Sequence, residues 1–258
     1  MTQRERLTWL IRYLLNEDSR YKEIVIPSDE TQQFNLYRSL VNVRMPKNTS
    51  KEYLEIEGEF LKEETKRKGI TSLSSLNFNN GISFWQGDIT SLECDAIVNA
   101  ANSQLLGCFV PCHRCIDNCI HTFSGIRLRE KCFEIMQKQN SPEPTGRAKI
   151  TPAYNLPCKY VIHTVGPIIT HFVTDKHRKL LACCYEECLK CAEENGLESI
   201  AFCCISTGEF HFPNVEAAEI AINTVKKYKQ ETNSKIKVIF NVFKDLDRDI
   251  YERLLSDN

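Results

Sequence analysis

Between Gly107 and His121 the chain reads GCFVPCHRCIDNCIH. Cys108, His113 and Cys115 there offer two thiols and an imidazole within eight residues. Sulfur and imidazole donors together select zinc over magnesium or calcium. Three protein ligands with a fourth position open is how catalytic zinc is held, whereas four ligands close a structural site. Two further thiols bear on that choice. Cys112 adjoins His113, and adjacent residues strain to bind one ion together. Cys119 lies four residues past Cys115, on the next turn of an expected helix. Three readings stay open at this point: an open catalytic site, a closed structural one, or thiols that merely pack as small hydrophobes. Asp117, two residues beyond Cys115, supplies a carboxylate that can orient or deprotonate a water or a hydroxyl.

Other chemistry-bearing residues follow strand-like runs. Gly87-Asp88-Ile89 follows ISFWQ, and Asn102 follows DAIVNAA. Ser206-Thr207-Gly208-Glu209-Phe210 follows SIAFCCI, with Pro213 and Asn214 opening a helix. A small polar loop before a helix presents backbone N–H groups that suit a phosphate, although most such loops are only turns and caps. The Glu209 carboxylate repels phosphate, so its backbone is the expected participant. His121, on a helix face, and His163, inside an apolar strand, read as core histidines. His211 follows Phe210 in the same loop and is given no role.

These residues need elements to hold them, and the pattern from residue 79 onward alternates. Strands are expected at ISFWQGD, CDAIVNAAN, KYVIHTVG, SIAFCCIS and KIKVIFNVF. Helices are expected over 116–138, HRKLLACCYEECLKCAEEN (ending at Asn195-Gly196), EAAEIAINTVKKY and RDIYERLL. Alternation of this kind predicts an α/β fold, three layers around a largely parallel or mixed sheet. Ligands of such sheets sit at the carboxyl ends of the strands, so the three loops belong on one edge. Residues 1–78 form a separate helical extension, with helices over 3–15, over 30–44, and from Thr49, where Thr49 and Glu52 have capping-box spacing, to Gly69. This stretch carries no strand signal and reads as a cap packed on residues 79–258. LNFNNG at 76–81 is the turn-rich joint.

Composition narrows the class. The chain has 258 residues, 42% hydrophobic and 26% charged, which is ordinary for a globular protein. The 33 basic and 34 acidic residues leave a formal charge of -1, without the basic excess of a protein that grips nucleic acid through many phosphates. The start MTQRERLTWLIRYLL spaces its apolar residues as an amphipathic helix rather than a signal peptide, and no apolar run reaches the ~20 residues of a membrane span. The 13 cysteines are therefore read as reduced thiols of a cytoplasmic protein that contacts neither membrane nor nucleic acid. Cys183, Cys184, Cys188, Cys203 and Cys204 lie in apolar-patterned segments and are expected to be buried hydrophobes.

Taken together, GDI at 87–89, DAIVNAAN at 95–102, VIHTVGP at 161–167 and ISTGEFHFP at 205–213 resemble the macrodomain family over roughly residues 80–255. Where many macrodomains carry a glycine run, this chain carries GCFVPCHRCIDN. That pattern is similar to the zinc-containing branch found beside bacterial sirtuin-type ADP-ribosyltransferases. The resemblance implies an ADP-ribosyl hydrolase that removes mono-ADP-ribose from modified proteins, with one zinc ion on Cys108, His113 and Cys115. It implies that Asp88 and Ile89 meet the adenine and that Asn102 contacts the distal ribose. Ser206, Thr207, Gly208, Glu209 and Phe210 would wrap the diphosphate, and Cys108, Ile116, Asp117 and Asn118 would lie beside the ribose. Asp117 and Asn102 become the expected catalytic pair, ADP-ribose the product ligand, and a sirtuin-type ADP-ribosyltransferase a partner. The competing reading is a reader module that binds ADP-ribose without cleavage and uses its zinc structurally, because fold alone never settles function.

Overall fold

The computed structural model describes residues 1–256. The chain opens with three helices, α1 (Gln3–Asn16), α2 (Glu30–Val43) and α3 (Lys51–Lys68). Thr2 and Glu5 form a reciprocal capping box on α1, and the Asp29 carboxylate caps α2 at the Gln32 N–H. The cap of α3 differs from expectation. Ser50, not Thr49, accepts the Tyr53 N–H. The Thr49 hydroxyl is held elsewhere, accepting from Arg44 at 2.8 Å and donating to Glu130 at 3.0 Å. At the other end α3 stops at Gly69, whose φ of +90° places it in the left-handed region.

After the extension come β1 (Thr71–Ser72), β2 (Ile82–Gln86), β3 (Leu92–Glu93) and β4 (Ala96–Ala100). Next follow α4 (Ile116–Ser124), α5 (Ile126–Gln139), β5 (Ala148–Pro152), β6 (Tyr160–Thr164) and α6 (Asp175–Glu194). The chain ends with β7 (Ser199–Phe202), α7 (Asn214–Thr232), β8 (Lys237–Val242) and α8 (Asp245–Ser256). Six strands form one mixed sheet in the order β2-β8-β7-β4-β6-β5. Every neighbouring pair is parallel except β5 with β6. The carboxyl ends of β2, β4 and β7 therefore share one edge, as the three loops require. The interior strands β4 and β7 are buried on both sides, as a sheet covered by helices on both faces demands.

Three local features depart from the sequence pattern. The helix expected over 116–138 is two helices, divided at Gly125, whose φ is +89°. Strand β5 carries no clear alternation and ends in Pro152, which suits its place at the sheet edge. The two-residue strand β1, in a stretch without strand signal, pairs in parallel with β3; two residues are too few to show a period. The joint at 76–81 does turn, with Asn80 and Gly81 both at positive φ and reciprocal 2.9 Å hydrogen bonds between Asn79 and Ile82.

The helical extension shares one core with the sheet unit. Leu7, Leu10, Ile11, Tyr37, Tyr53 and Phe60 are buried in the same apolar cluster as Ile120, Phe123 and Ile126. Polar groups cross the seam as well. Gly125 has no side chain to cap α5, and the carboxylate of Glu57 on α3 accepts the Ile126 N–H at 3.1 Å instead. Among the described residues no helix is long and apolar enough to cross a membrane, and the thirteen cysteines are all free thiols. Cys184, Cys188 and Cys203 are buried as expected, Cys204 is half-buried, and Cys183 departs from expectation by facing solvent. It lies on the outer side of α6, one residue from the buried Cys184.

Candidate active site

The site begins with β4. Asn99, near its end, lies opposite His163 of β6 in the parallel register. That register brings the Asn99 amide within 3.2 Å of His163 Nδ1, and the same amide donates to Asp117 Oδ1 at 2.8 Å. An amide nitrogen only donates, so Nδ1 accepts and the proton of His163 sits on Nε2, facing Thr151 Oγ1 at 2.9 Å. Burial holds His163 down at about 4, hence neutral. His163 is a satisfied core histidine, with both ring nitrogens partnered. His121 is buried too, and burial lowers its pKa well below the ordinary value, but neither ring nitrogen has a hydrogen-bond partner.

Asp117 sits in the first turn of α4 and is 5% exposed. Its second oxygen accepts from the Asn102 amide at 3.3 Å. Burial pushes its carboxyl up to about 6, against the pull of Asn99, Arg129 and Asn102. Asn102 also donates to the Gly107 carbonyl at 3.1 Å and accepts the Gln104 N–H at 3.0 Å, which folds the loop after β4 back on itself. Gly107 is needed there: its φ is +79°, and a Cβ would stand 2.8 Å from the His121 ring. The structure thus joins Asn102 to Asp117 by a hydrogen bond. It adds Asn99, which had no separate signal within a strand.

The next stretch brings the metal-type donors together. The ligand atoms of Cys108, His113 and Cys115 lie within 4.8 Å of one another. Cys108 Sγ and His113 Nδ1 are 3.5 Å apart. Neither Cys112 nor Cys119 belongs to this group: Cys112 Sγ faces Ser39 Oγ at 3.2 Å, and Cys119 Sγ faces Arg38 at 3.5 Å. Cys115 is also the N-cap of α4, its sulfur accepting the Asn118 N–H at 3.5 Å. Burial pushes its thiol up to about 12, and a divalent cation opposes that by binding only the thiolate. Two thiols and an imidazole this close fit a soft or borderline metal ion. His121, Cys132 and His163 form a second, fully buried group. There the Nδ1 lone pair of His163 is taken by Asn99 and its Nε2–H by Thr151, so His163 has no lone pair left for a metal.

The remaining predicted residues occupy the same edge. Ile89 is buried, and the Asp88 carboxylate accepts from Thr90 N–H and Oγ1 and from Lys68 Nζ at 3.0 Å. Burial works against its charge, but Lys68 and Thr90 hold the carboxyl below its ordinary value. Lys68 comes from α3 and also lies 3.1 Å from the centre of the Phe123 ring. The loop after β7 runs through Ser206, buried at a φ of +66°. Hydrogen bonds from Thr207 to the Cys204 carbonyl and from Phe212 to the Ser206 carbonyl shape it. The N–H groups of Gly208, Glu209 and Phe210 have no backbone acceptor among the described residues. The Phe210 carbonyl instead receives the Ile169 N–H, tying this loop to the one after β6. The Glu209 side chain is exposed and turned toward His113 Nε2, 3.6 Å away. Ile116 is half-buried. Asn118 is fully buried, its amide spent on the Cys108 and Val110 carbonyls.

A family model described as Macro domain matches residues 98–221. A protein of Treponema medium named protein-ADP-ribose hydrolase is 55% identical, covering 99% of this chain and 100% of its own length. The chain belongs to the macro domain family. Among solved structures, this macrodomain is similar to that of Oceanobacillus iheyensis with ADP, with a TM-score of 0.63 and 36% identity over 70% of this chain and 93% of that one. It is also similar to the Trypanosoma brucei macrodomain in complex with ADP-ribose, with a TM-score of 0.66 and 26% identity over 90% and 100% of the two chains.

Proposed function

We propose that this macrodomain is a protein-ADP-ribose hydrolase that removes mono-ADP-ribose from modified proteins, with a zinc ion on Cys108, His113 and Cys115. The observation that carries the reading is the adjacency of two groups: the three-donor cluster, and the buried Asp117 carboxylate held by Asn99 and Asn102. A module that only binds has no need of a three-ligand metal site beside a carboxylate. The end-to-end likeness to the Treponema protein supports the same activity.

In this reading the loop from Ser206 to Phe210 receives the diphosphate on its free N–H groups, Asp88 accepts the adenine amine, and Asn102 meets the distal ribose. The bond broken joins the anomeric carbon to the modified side chain. Such bonds part through an oxocarbenium-like state. The oxygen of water ends on the anomeric carbon, and its proton passes to the departing side chain. Asp117 orients the water or a ribose hydroxyl and takes its proton, while Asn99 and Asn102 keep both carboxylate oxygens in place. Cys108, His113 and Cys115 would hold the zinc, which would supply Lewis acidity to the reaction. The substrate must come from a transferase that places ADP-ribose on protein; the sirtuin-type enzyme that the family resemblance implies is one of that class.

The test is release of ADP-ribose from a mono-ADP-ribosylated protein by native chain, by chain stripped of metal, and by chain resupplied with zinc. Release should vanish on stripping and return with zinc. Asp117→Ala should slow release by roughly 10²–10⁴-fold, the usual worth of a general base, while ADP-ribose still binds. Binding by the native chain with no release on acidic or basic linkages would instead mark a reader.

A further inference from the structure

We propose that α2, through Arg38, is part of the active-site machinery: Arg38 is the positioning residue that fixes the loop carrying the metal-type donors. The proposal rests on the reading of Cys108, His113 and Cys115 as metal ligands. One guanidinium nitrogen ties the His113 carbonyl to the side chain of Asn118. Arg38 Nη2 donates to the His113 carbonyl at 2.6 Å and to Asn118 Oδ1 at 2.9 Å. By accepting there, Asn118 must turn its amide nitrogen the other way, toward the Cys108 carbonyl at 3.3 Å and the Val110 carbonyl at 3.0 Å. The backbone N–H of the same Asn118 meets Cys115 Sγ at 3.5 Å. His113 is thus one hydrogen bond from Arg38, Cys108 is reached through the Asn118 side chain, and Cys115 adjoins the same Asn118 through the cap of α4.

The rest of α2 is shaped to the same loop. Asn42 Oδ1 accepts the N–H of Cys112, whose φ of +54° is a strained left-handed conformation for a residue with a Cβ. Ser39 Oγ lies 3.2 Å from the Cys112 sulfur. Arg129 clamps from below, donating to the Leu106 carbonyl at 2.6 Å and to the Val41 and Arg44 carbonyls at the end of α2. Neighbouring groups that orient metal ligands commonly change metal affinity by about 10–100-fold when removed.

The experiment uses the full-length chain with Arg38→Met, which keeps the apolar stem and removes the donors, and with Arg38→Lys. Zinc affinity is read by chelator competition, ADP-ribose affinity by calorimetry, folding by the unfolding midpoint, and turnover by ADP-ribose release. Arg38→Met should bind zinc roughly 10–100-fold more weakly and lose kcat, with ADP-ribose affinity unchanged. Arg38→Lys should fall between, because one ammonium on a differently shaped stem does not reproduce the guanidinium contacts. A folded Arg38→Met chain with wild-type zinc affinity overturns the proposal, even if its midpoint has dropped. Should Arg38→Met fail to fold, Arg38→Lys decides, and wild-type zinc affinity there overturns it. A wild-type chain that binds no zinc removes the premise. A chain that binds zinc in an Arg38-dependent way but releases no ADP-ribose leaves this inference standing and ends the hydrolase reading.

Discussion

The carboxyl of Glu57 gives the seam between extension and sheet unit a predictable pH dependence. The side chain is 1% exposed and accepts from Tyr37 Oη at 2.9 Å, Tyr53 Oη at 3.2 Å and the Ile126 N–H at 3.1 Å. Burial raises its pKa from an ordinary 4.5 to about 7, against those donors and the more distant Arg44 charge. Burial also raises both tyrosines, so they stay protonated donors throughout this range. Below about 4.5 the carboxyl is protonated folded and unfolded, and contributes no slope. Between there and about 7 the folded chain keeps a proton that the unfolded chain has lost, so stability falls as pH rises. At about 1.4 kcal/mol per tenfold, the full loss is on the order of 3 kcal/mol. Glu57→Gln cannot titrate. Its amide oxygen can keep the Ile126 N–H while its N–H groups turn to the Tyr37 and Tyr53 hydroxyls, which can accept, and any cost of that exchange is independent of pH and cancels when slopes are compared. The assay is urea unfolding of both chains at several values from pH 4.5 to 8. The wild type should lose up to ~3 kcal/mol more than the variant across that range. Parallel curves would mean that Glu57 is charged when folded at low pH, and that the argument from burial is wrong.

Two further perturbations probe the loop itself. Gly107→Ala forces a side chain into a φ of +79° and places a Cβ 2.8 Å from the His121 ring. It should destabilise the fold by at least ~1–2 kcal/mol, the usual cost of left-handed backbone, and lower turnover; an unchanged midpoint in thermal unfolding would show that the loop moves freely. Cys108→Ser should lose bound metal and ADP-ribose release together, read by elemental analysis and product assay on one preparation, and full release from a metal-free Cys108→Ser chain would end the zinc mechanism.

Much of the fold was legible because its signals are local. Alternating apolar runs and helix stops at Gly69 and Asn195-Gly196 place the elements, and parallel alternation alone puts the three loops on one edge. What stayed hidden was set by neighbours distant in sequence. Gly125 divides α4 from α5, and the acceptor that makes the break tolerable, Glu57, lies 68 residues earlier. Thr49 looked like a helix cap because Glu52 has the right spacing, but its hydroxyl is drawn into the Arg44–Glu130 pair and Ser50 takes over. Two-residue strands such as β1 are below the length at which a period can be read.

The site divides along the same line. Cys108, His113 and Cys115 were readable because their residue types are rare together and their spacing is short. Asp117 was readable by its position beside them, and Asn102 through the family resemblance of the NAAN turn. Arg38 was not, for a physical reason. Its strongest contact is with a backbone carbonyl, which every residue carries, so its acceptor at His113 leaves no mark in the sequence. Its other main contact is with an Asn118 whose amide looks equally suited to a sugar hydroxyl. Sequence motifs record the groups that touch a ligand. The groups that hold those groups are chosen by geometry, and many residue types at many positions can supply it. A helical extension that reads as a plain cap is therefore the kind of element in which such a residue escapes notice. In this chain two of its cations, Arg38 and Lys68, reach the metal-type loop and the Asp88 turn, at two separate points of one sheet edge.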